Sequence, residues 1–483
     1  MQRIVGRKEQ VSELLHSYNS GKSEFVVLYG RRRVGKTFLV NEVFGDKFSF
    51  SHSGLAPFEK SSSTMLHDQL QNFYFSLVRY GMVENSVPRT WLEAFEMLRR
   101  LLEKSDRFKR QVVFIDEMPW MDTPRSGFLS ALEIFWNGWG CSRHNLMLIV
   151  CGSATSWIQN KLIDSRGGLY NRITNRIKVN AFTLLECEQL FSQMGLVLTR
   201  RDIVEAYMVT GGIPYYLSYF RKGLSLAQNI DRLFFAKEAK LSDEYSRLFS
   251  SLFVSPEEYE KIIEALSSRS YGLTRNEVSE KTGIANGGGL TLQLKALEES
   301  GFIKKYVPMG PCRKVVYYRV VDNFCLFWLK FKKGKQKKYG ENFWQTNSNA
   351  PVLNAWRGIA FETVCFAHVQ QIKEALKIGG ISTEEYSWLY LSSEKGSGAQ
   401  VDMIIDRADS IINVCEMKFC RGAFEIDKKY YVELDNKIAV VGQNMPKRTK
   451  AIHLTFITTS GVKQNAYSGI VQCSITIEDL FKE

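Results

Sequence analysis

No stretch of this 483-residue chain is apolar for long enough to cross a membrane: runs such as Leu146 to Cys151 fall far short of the roughly 18 residues a spanning helix needs. The N-terminus also lacks the apolar core of a signal peptide, so the expected location is cytoplasmic, with no membrane partner. Nine cysteines occur without a single Cys-x-x-Cys pair, and six histidines are scattered, which excludes a disulfide scaffold and gives no zinc-site spacing. No internal repeat is visible. What the chain does have is material for several cores. Its 45% hydrophobic and 24% charged residues are ordinary for a globular protein, and the length suggests about three domains at roughly 100 to 200 residues each. A net charge of +13 favours a polyanionic partner, because clustered Lys and Arg release counterions when they meet phosphates. A merely basic protein would carry the same number.

The apolar run Phe25 to Tyr29 reads as a buried strand that enters the turn Gly30-Arg31-Arg32-Arg33-Val34-Gly35-Lys36-Thr37, and a helical pattern begins at Lys36 with Phe38, Leu39, Val43 and Phe44. Strand, glycine loop and helix in that order form a phosphate cradle. Its backbone N–H groups would surround the phosphates of ATP, Lys36 would reach the β- and γ-phosphates, and Thr37 would offer a hydroxyl to Mg²⁺. A second strand, Val112 to Ile115, ends in Asp116-Glu117: Asp116 would hold Mg²⁺, and Glu117 would polarise the attacking water unless it lies on a surface turn. Ser153 follows a third strand, Leu146 to Val150, where it would sense the γ-phosphate or simply cap the next helix.

Beyond this α/β core of residues 1–180, apolar spacing is helical through 181–255 and is broken by Gly211, Gly212 and Pro214, as in a helical lid. Residues 256–330 follow with helices Tyr259 to Leu266, Arg275 to Thr282 and Leu290 to Ser300, a Gly287-Gly288-Gly289 turn, and a hairpin of Ile303 to Tyr306 with Val315 to Tyr318. That order matches a winged helix-turn-helix. Its expected recognition helix, Gln293 to Glu299, has Lys295 as its one basic residue, which weakens sequence-specific readout. The lysines at 330, 332, 333, 335, 337 and 338 read as a basic linker spanning 331–355, or as a phosphate-contacting run. A second α/β domain is expected over 356–483, with a helix from Trp356 and strands at Val401 to Ile405, Ile411 to Met417, Lys437 to Val441 and Ala451 to Thr458.

The chain resembles the archaeal-type ATPase family, related to AAA+ and STAND P-loop ATPases. The resemblance rests on Val5-Gly6-Arg7-Lys8-Glu9, the loop from Gly30 to Thr37, Asp116-Glu117, the run from Cys151 to Trp157, the run from Gly167 to Arg172 and the run from Gly211 to Tyr216. It implies that Val5, Gly6 and Arg7 line the adenine pocket, that Arg31, Arg32, Arg33, Val34 and Phe38 join the nucleotide site, and that Pro214 approaches the nucleotide from the lid. Arg172 would be an arginine finger, acting between subunits of a homo-oligomer as in AAA+ relatives unless the chain is monomeric until activated, as in STAND-like ones; the family often has Gly-Arg where Asn171-Arg172 stands, so Arg166 and Arg176 are alternatives.

Downstream, Asp402 is followed fourteen residues on by Glu416-x-Lys418, with Glu362 on the preceding helix. This spacing resembles the PD-(D/E)XK nuclease core, in which Asp402 and Glu416, with Glu362, would hold Mg²⁺ while Lys418 orients the attacking water. Strand alternation places Glu416 and Lys418 on one face. The expected fold class is therefore α/β: an AAA+-like P-loop sheet domain with a helical lid, a winged helix-turn-helix and a C-terminal restriction-endonuclease-like domain. Two functions remain open: ATP-controlled processing of nucleic acid, DNA before RNA, or an ATP-driven switch whose C-terminal domains bind without cutting. A transcription regulator would need the winged helix alone.

Overall fold

A computed structural model describes residues 4–56, 62–83, 86–104, 108–164, 167–253, 255–307, 315–333, 339–390, 399–443 and 450–483. They divide into two compact units, one made of residues 1–181 with 247–256 and the other of residues 182–246 with 257–483.

The first unit is built on a five-stranded parallel sheet of β1 (Glu24–Tyr29), β2 (Phe48–Ser53), β3 (Gln111–Asp116), β4 (Leu146–Gly152) and β5 (Asn175–Lys178), in the order β2-β3-β4-β1-β5. β3 and β4 are buried at every position and β1 at all but Tyr29, as strands covered on both faces require. Phe25, Phe50, Trp91, Phe95, Phe128 and Trp136 fill one core, and each such side chain contributes roughly 1.5–3 kcal/mol on burial. Insertion of β4 between β1 and β3 brings the C-terminal ends of all three to one edge of the sheet, where an open α/β sheet places its ligand. β2 and β5 escape a reading by apolar runs: Phe48-Ser-Phe-Ser-His-Ser is mostly polar, and β5 buries only Ile177 of its four residues.

The second unit opens with helices Leu184–Gln193 and Arg200–Thr210, each started by a reciprocal capping box, Thr183 with Glu186 and Thr199 with Asp202. Gly211 ends the latter in the left-handed region, and Pro214 opens the short helix Pro214–Leu217. Then come helix Pro256–Ser267, β6 (Leu273–Thr274), helix Arg275–Thr282, helix Gly288–Glu299, β7 (Ile303–Tyr306) and β8 (Tyr317–Val320); the strands form an antiparallel sheet ordered β6-β8-β7. The glycine turn expected at 287–289 is thus partly the first turn of a helix. Of the stretch read as a linker, residues 343–346 form a helical turn with Phe343 and Trp344 buried. Trp344 Nε1 and an Arg357 guanidinium nitrogen both donate to Glu205 Oε1, at 2.9 and 2.7 Å. The lysines at 335, 337 and 338 lie outside the described residues.

Helix Pro351–Ala367 leads into a five-stranded sheet ordered β13-β12-β11-β10-β9, made of β9 (Thr383–Tyr390), β10 (Ala399–Arg407), β11 (Ile411–Lys418), β12 (Ala451–Thr458) and β13 (Cys473–Thr476). β9, β10 and β11 form an antiparallel meander, and β12 and β13 continue the sheet in parallel with β11. Between β11 and β12 runs helix Lys428–Gln443, which corrects the strand expected at Lys437 to Val441. Ile438-Ala439-Val440-Val441 imitates a short buried strand, but the longer spacing of Leu434, Lys437 and Val441 belongs to one face of a helix.

Candidate functional site

β1 stops at Gly30, whose φ of 144° is open to glycine, and whose missing Cβ would stand 2.1 Å from the Val179 carbonyl oxygen. The loop then passes through Arg33 at φ 70° and Gly35 at φ 91° before helix Lys36–Phe44 begins. A non-glycine residue in the left-handed region stores strain of about 1–3 kcal/mol, and Arg33, Arg7 and Glu117 all do so in this unit. Lys36 is buried, and its ammonium donates to the carbonyls of Gly30 at 2.9 Å and Arg31 at 3.1 Å. Burial pushes its pKa down, against the pull of Cys151, Glu117 and Asp116.

Thr37 Oγ1 donates to Asp116 Oδ2 at 2.8 Å, so the two oxygens expected to share one Mg²⁺ already meet. The other Asp116 oxygen accepts from the Glu117 N–H at 2.9 Å and from Cys151 Sγ. Cys151, absent from the sequence reading as a site residue, is fully buried, and burial followed by Asp116 drives its thiol pKa well up. Glu117 is caught by Ser153, whose N–H and Oγ donate to Oε2 at 3.0 and 2.9 Å. The hydroxyl serves Glu117 and not the following helix: Ala154 caps that helix without any side-chain hydrogen bond. Arg7 donates to the carbonyls of Val34 at 3.1 Å and Asn180 at 2.7 Å, which ties the Val5-Gly6-Arg7 segment to the loop. Arg31, Arg32 and Gly35 are half-buried, Val34 is buried, and Thr37 and Phe38 are exposed at the helix start. Arg172 and Arg176 are exposed; Arg166 lies outside the described residues. Pro214 belongs to the second unit.

A separate group of ionisable residues occupies the second unit. Glu416, completely buried on β11, accepts from Lys437 Nζ at 2.6 Å on Oε1, and from Tyr430 OH at 2.6 Å and Lys418 Nζ at 3.3 Å on Oε2. Burial opposes its ionisation, but Lys418 and Lys437 outweigh it and hold the carboxyl below its ordinary range. Asp402 on β10 accepts from the Met417 N–H at 2.9 Å, and burial with the nearby Glu416 charge raises it to about 6. Burial and Asp402 raise Glu362, on helix Pro351–Ala367, to about 8. Lys418 feels the reverse: burial works against its charge, and Glu416 and Asp402 prevail to raise it.

Tyr430 and Lys437 were missed from the sequence. They lie seven residues apart on one helix face, a signal hidden by reading Lys437 into a strand. Among the described residues no three acidic, histidine or cysteine side chains form a preassembled metal-binding group. Mg²⁺ needs only one or two carboxylates with waters, and Glu416, held ionised, beside the carboxyl of Asp402 forms a donor set of the right chemistry for it.

Comparison with known proteins bears on the first of these sites. Residues 4–220 match the family described as an ATPase domain predominantly from Archaea. An uncharacterized protein of Methanocaldococcus jannaschii is 23% identical over 443 residues, which cover 91% of this chain and 92% of that protein. An uncharacterized ATP-binding protein of the same organism is 44% identical over 44 residues, 9% of this chain and 75% of that one. Among solved structures, a Walker-type ATPase of Pyrococcus abyssi shares 18% identity at a TM-score of 0.44, over 68% of this chain and 96% of that one. The ORC2 protein of Aeropyrum pernix, solved as ADPNP and ADP complexes, shares 14% at a TM-score of 0.40, over 68% of this chain and 93% of that one. No helix among the described residues is long and apolar enough to cross a membrane. The loop, its acids and the family match agree: the protein is an ATPase, and residues 4–220 are similar to the ATPase domain described as predominantly from Archaea.

Proposed function

We propose that the protein uses ATP, with Mg²⁺ between Thr37 and Asp116, to control a nucleic-acid-processing centre at Glu362, Asp402, Glu416 and Lys418. The observation that carries this reading is the second carboxylate group itself. Three acids and two lysines converge from a helix, two strands and a second helix in a chain already equipped to hydrolyse ATP. In the nucleotide site Lys36 would leave the Gly30 and Arg31 carbonyls for the phosphates, and Glu117 would leave Ser153 to polarise water. Both moves exchange hydrogen bonds already made for others, so their net cost is small. Arg172, or Arg176 or Arg166, would complete the site from a neighbouring subunit.

The order of helices and strands from Pro256 to Val320 supports the winged-helix reading, and the helix, antiparallel meander, helix and parallel strand that follow support the PD-(D/E)XK reading. Support for a phosphodiester substrate comes from a cavity of about 420 Å³ whose walls include Arg269, Arg319, Lys330 and Glu362. A metal ion bound by Asp402 and Glu416 would activate water, and Lys418 would orient that water and neutralise charge on the phosphate. DNA is the preferred substrate class over RNA.

A second reading has its own observation: both oxygens of Glu416 are already engaged by Lys437, Tyr430 and Lys418. A group so satisfied suits a domain that binds without cutting, under the control of an ATP-driven switch. Plasmid, linear and single-stranded DNA incubated with Mg²⁺ or Mn²⁺, with and without ATP, separates the two. Cleavage that is lost in Asp402→Ala and altered in Lys36→Ala is the expected result. Intact ATP hydrolysis with no cleavage under any condition would leave the switch.

A further inference from the structure

Helix Lys428–Gln443 brings two groups to Glu416 that the nuclease-like pattern alone does not call for. Lys437 Nζ makes one of the shortest contacts in the cluster, 2.6 Å to Oε1, and Tyr430 OH meets Oε2 at the same distance. Glu416 is inaccessible to solvent, while the Lys437 side chain keeps 19% of its surface exposed. The carboxylate is thus the fixed partner, and the ammonium can withdraw along its flexible four-carbon stem into water.

A buried carboxylate needs a cation. A divalent ion at Glu416 and the ammonium of Lys437 would satisfy the same oxygen, and two positive groups at one oxygen repel each other strongly where water is excluded. We propose that Lys437 is an internal counter-ion which holds the metal position of this cluster, and that a divalent cation enters between Asp402 and Glu416 by displacing it. The inference rests on the reading of Asp402 and Glu416 as metal ligands. Lys437 therefore sets how much free metal the cluster requires. Lys418, at 3.3 Å on the other oxygen, keeps its partner when Oε1 changes hands. Tyr430 remains on that oxygen as well and keeps the carboxylate oriented while Oε1 changes partner.

Mn²⁺ is a suitable probe, because free and bound ions are distinguished by electron paramagnetic resonance without any turnover. Nucleotide-free full-length protein, Asp402→Asn, Lys437→Met and Lys437→Arg would each be titrated with Mn²⁺. The ions lost in Asp402→Asn define this cluster, separately from those at the nucleotide loop. The expected result is that this fraction binds about tenfold more tightly in Lys437→Met, about 1.4 kcal/mol, and no more tightly in Lys437→Arg, which keeps the charge. Equal or weaker binding in Lys437→Met would overturn the displacement while leaving the metal ligands standing. No Asp402-dependent Mn²⁺ in any protein would overturn the metal reading and the displacement together. A wild-type measurement guards against a variant that fails to fold. Mn²⁺ should raise the reactivity of Lys437 toward an acylating reagent, read by mass spectrometry of its peptide, and should not do so in Asp402→Asn. Unchanged reactivity at saturating Mn²⁺ would contradict displacement.

Discussion

The nucleotide loop and the carboxylate cluster solve the same problem, holding charge out of water, in opposite ways. The loop does it with backbone: eight consecutive residues, one forced glycine, and a lysine resting on its own carbonyls. The cluster does it with side chains drawn from helix Pro351–Ala367, β10, β11 and helix Lys428–Gln443, each charge offset by another. A backbone site is set by conformation and tolerates few residue types. A side-chain site is set by packing, and its members can be scattered through the chain.

The largest expected effect sharpens the first half of that contrast. Lys36→Ala should lower ATP hydrolysis by about a thousandfold, measured as phosphate release, by removing a charge aimed at the transferring phosphoryl group. Unfolding of the second unit should be unchanged; a coupled loss would break the separation of the two sites. Glu117→Gln should lower hydrolysis by about a hundredfold while ATP still binds, measured by fluorescent-nucleotide titration beside turnover. Weakened binding equal to the weakened turnover would remove Glu117 from the chemistry.

The next effect belongs to the cluster. Glu416→Ala leaves Lys418 and Lys437 facing each other and should destabilise the protein by about 2 kcal/mol in a denaturant melt, less than a fully buried pair because both lysines are partly exposed. No change would mean that the lysines reach water without strain. A further effect is on pH. Glu362 titrates near 8 in the fold against an ordinary value of 4.5, so the folded state holds a proton that the unfolded chain releases. Its stabilising contribution is complete below about 4.5 and is lost as pH rises through about 8. Thermal melts across that window should show a fall that Glu362→Gln reduces, leaving the part below about 6 that Asp402 contributes; a wild-type stability that rises over the same range would show Glu362 to be ionised.

The same contrast explains what could be read from the sequence. The strands β1, β3 and β4 announce themselves as apolar runs ending in glycine or acid, and the first loop lies in one contiguous motif. β2 and β5 do not, because they are mostly polar or very short and acquire strand structure from their neighbours. Glu362, Asp402, Glu416 and Lys418 could be named from spacing, but their partners Tyr430 and Lys437 lay hidden in a run whose β-branched residues imitate a strand. Ser153 was legible as a site residue, although its choice of Glu117 over the next helix needed the geometry at the sheet edge.

Coupling of the two sites through nucleotide would be read in DNA affinity. An Asp402→Asn protein, unable to cut, would be titrated with labelled duplex and single-stranded DNA at fixed salt, with and without ATP, beside Asp402→Asn carrying Lys36→Ala. ATP is expected to shift the DNA Kd at least about fivefold and Lys36→Ala to remove the shift, since coupling between sites must act through nucleotide bound at the loop. DNA binding that is indifferent to ATP, or no DNA binding at all, would contradict it.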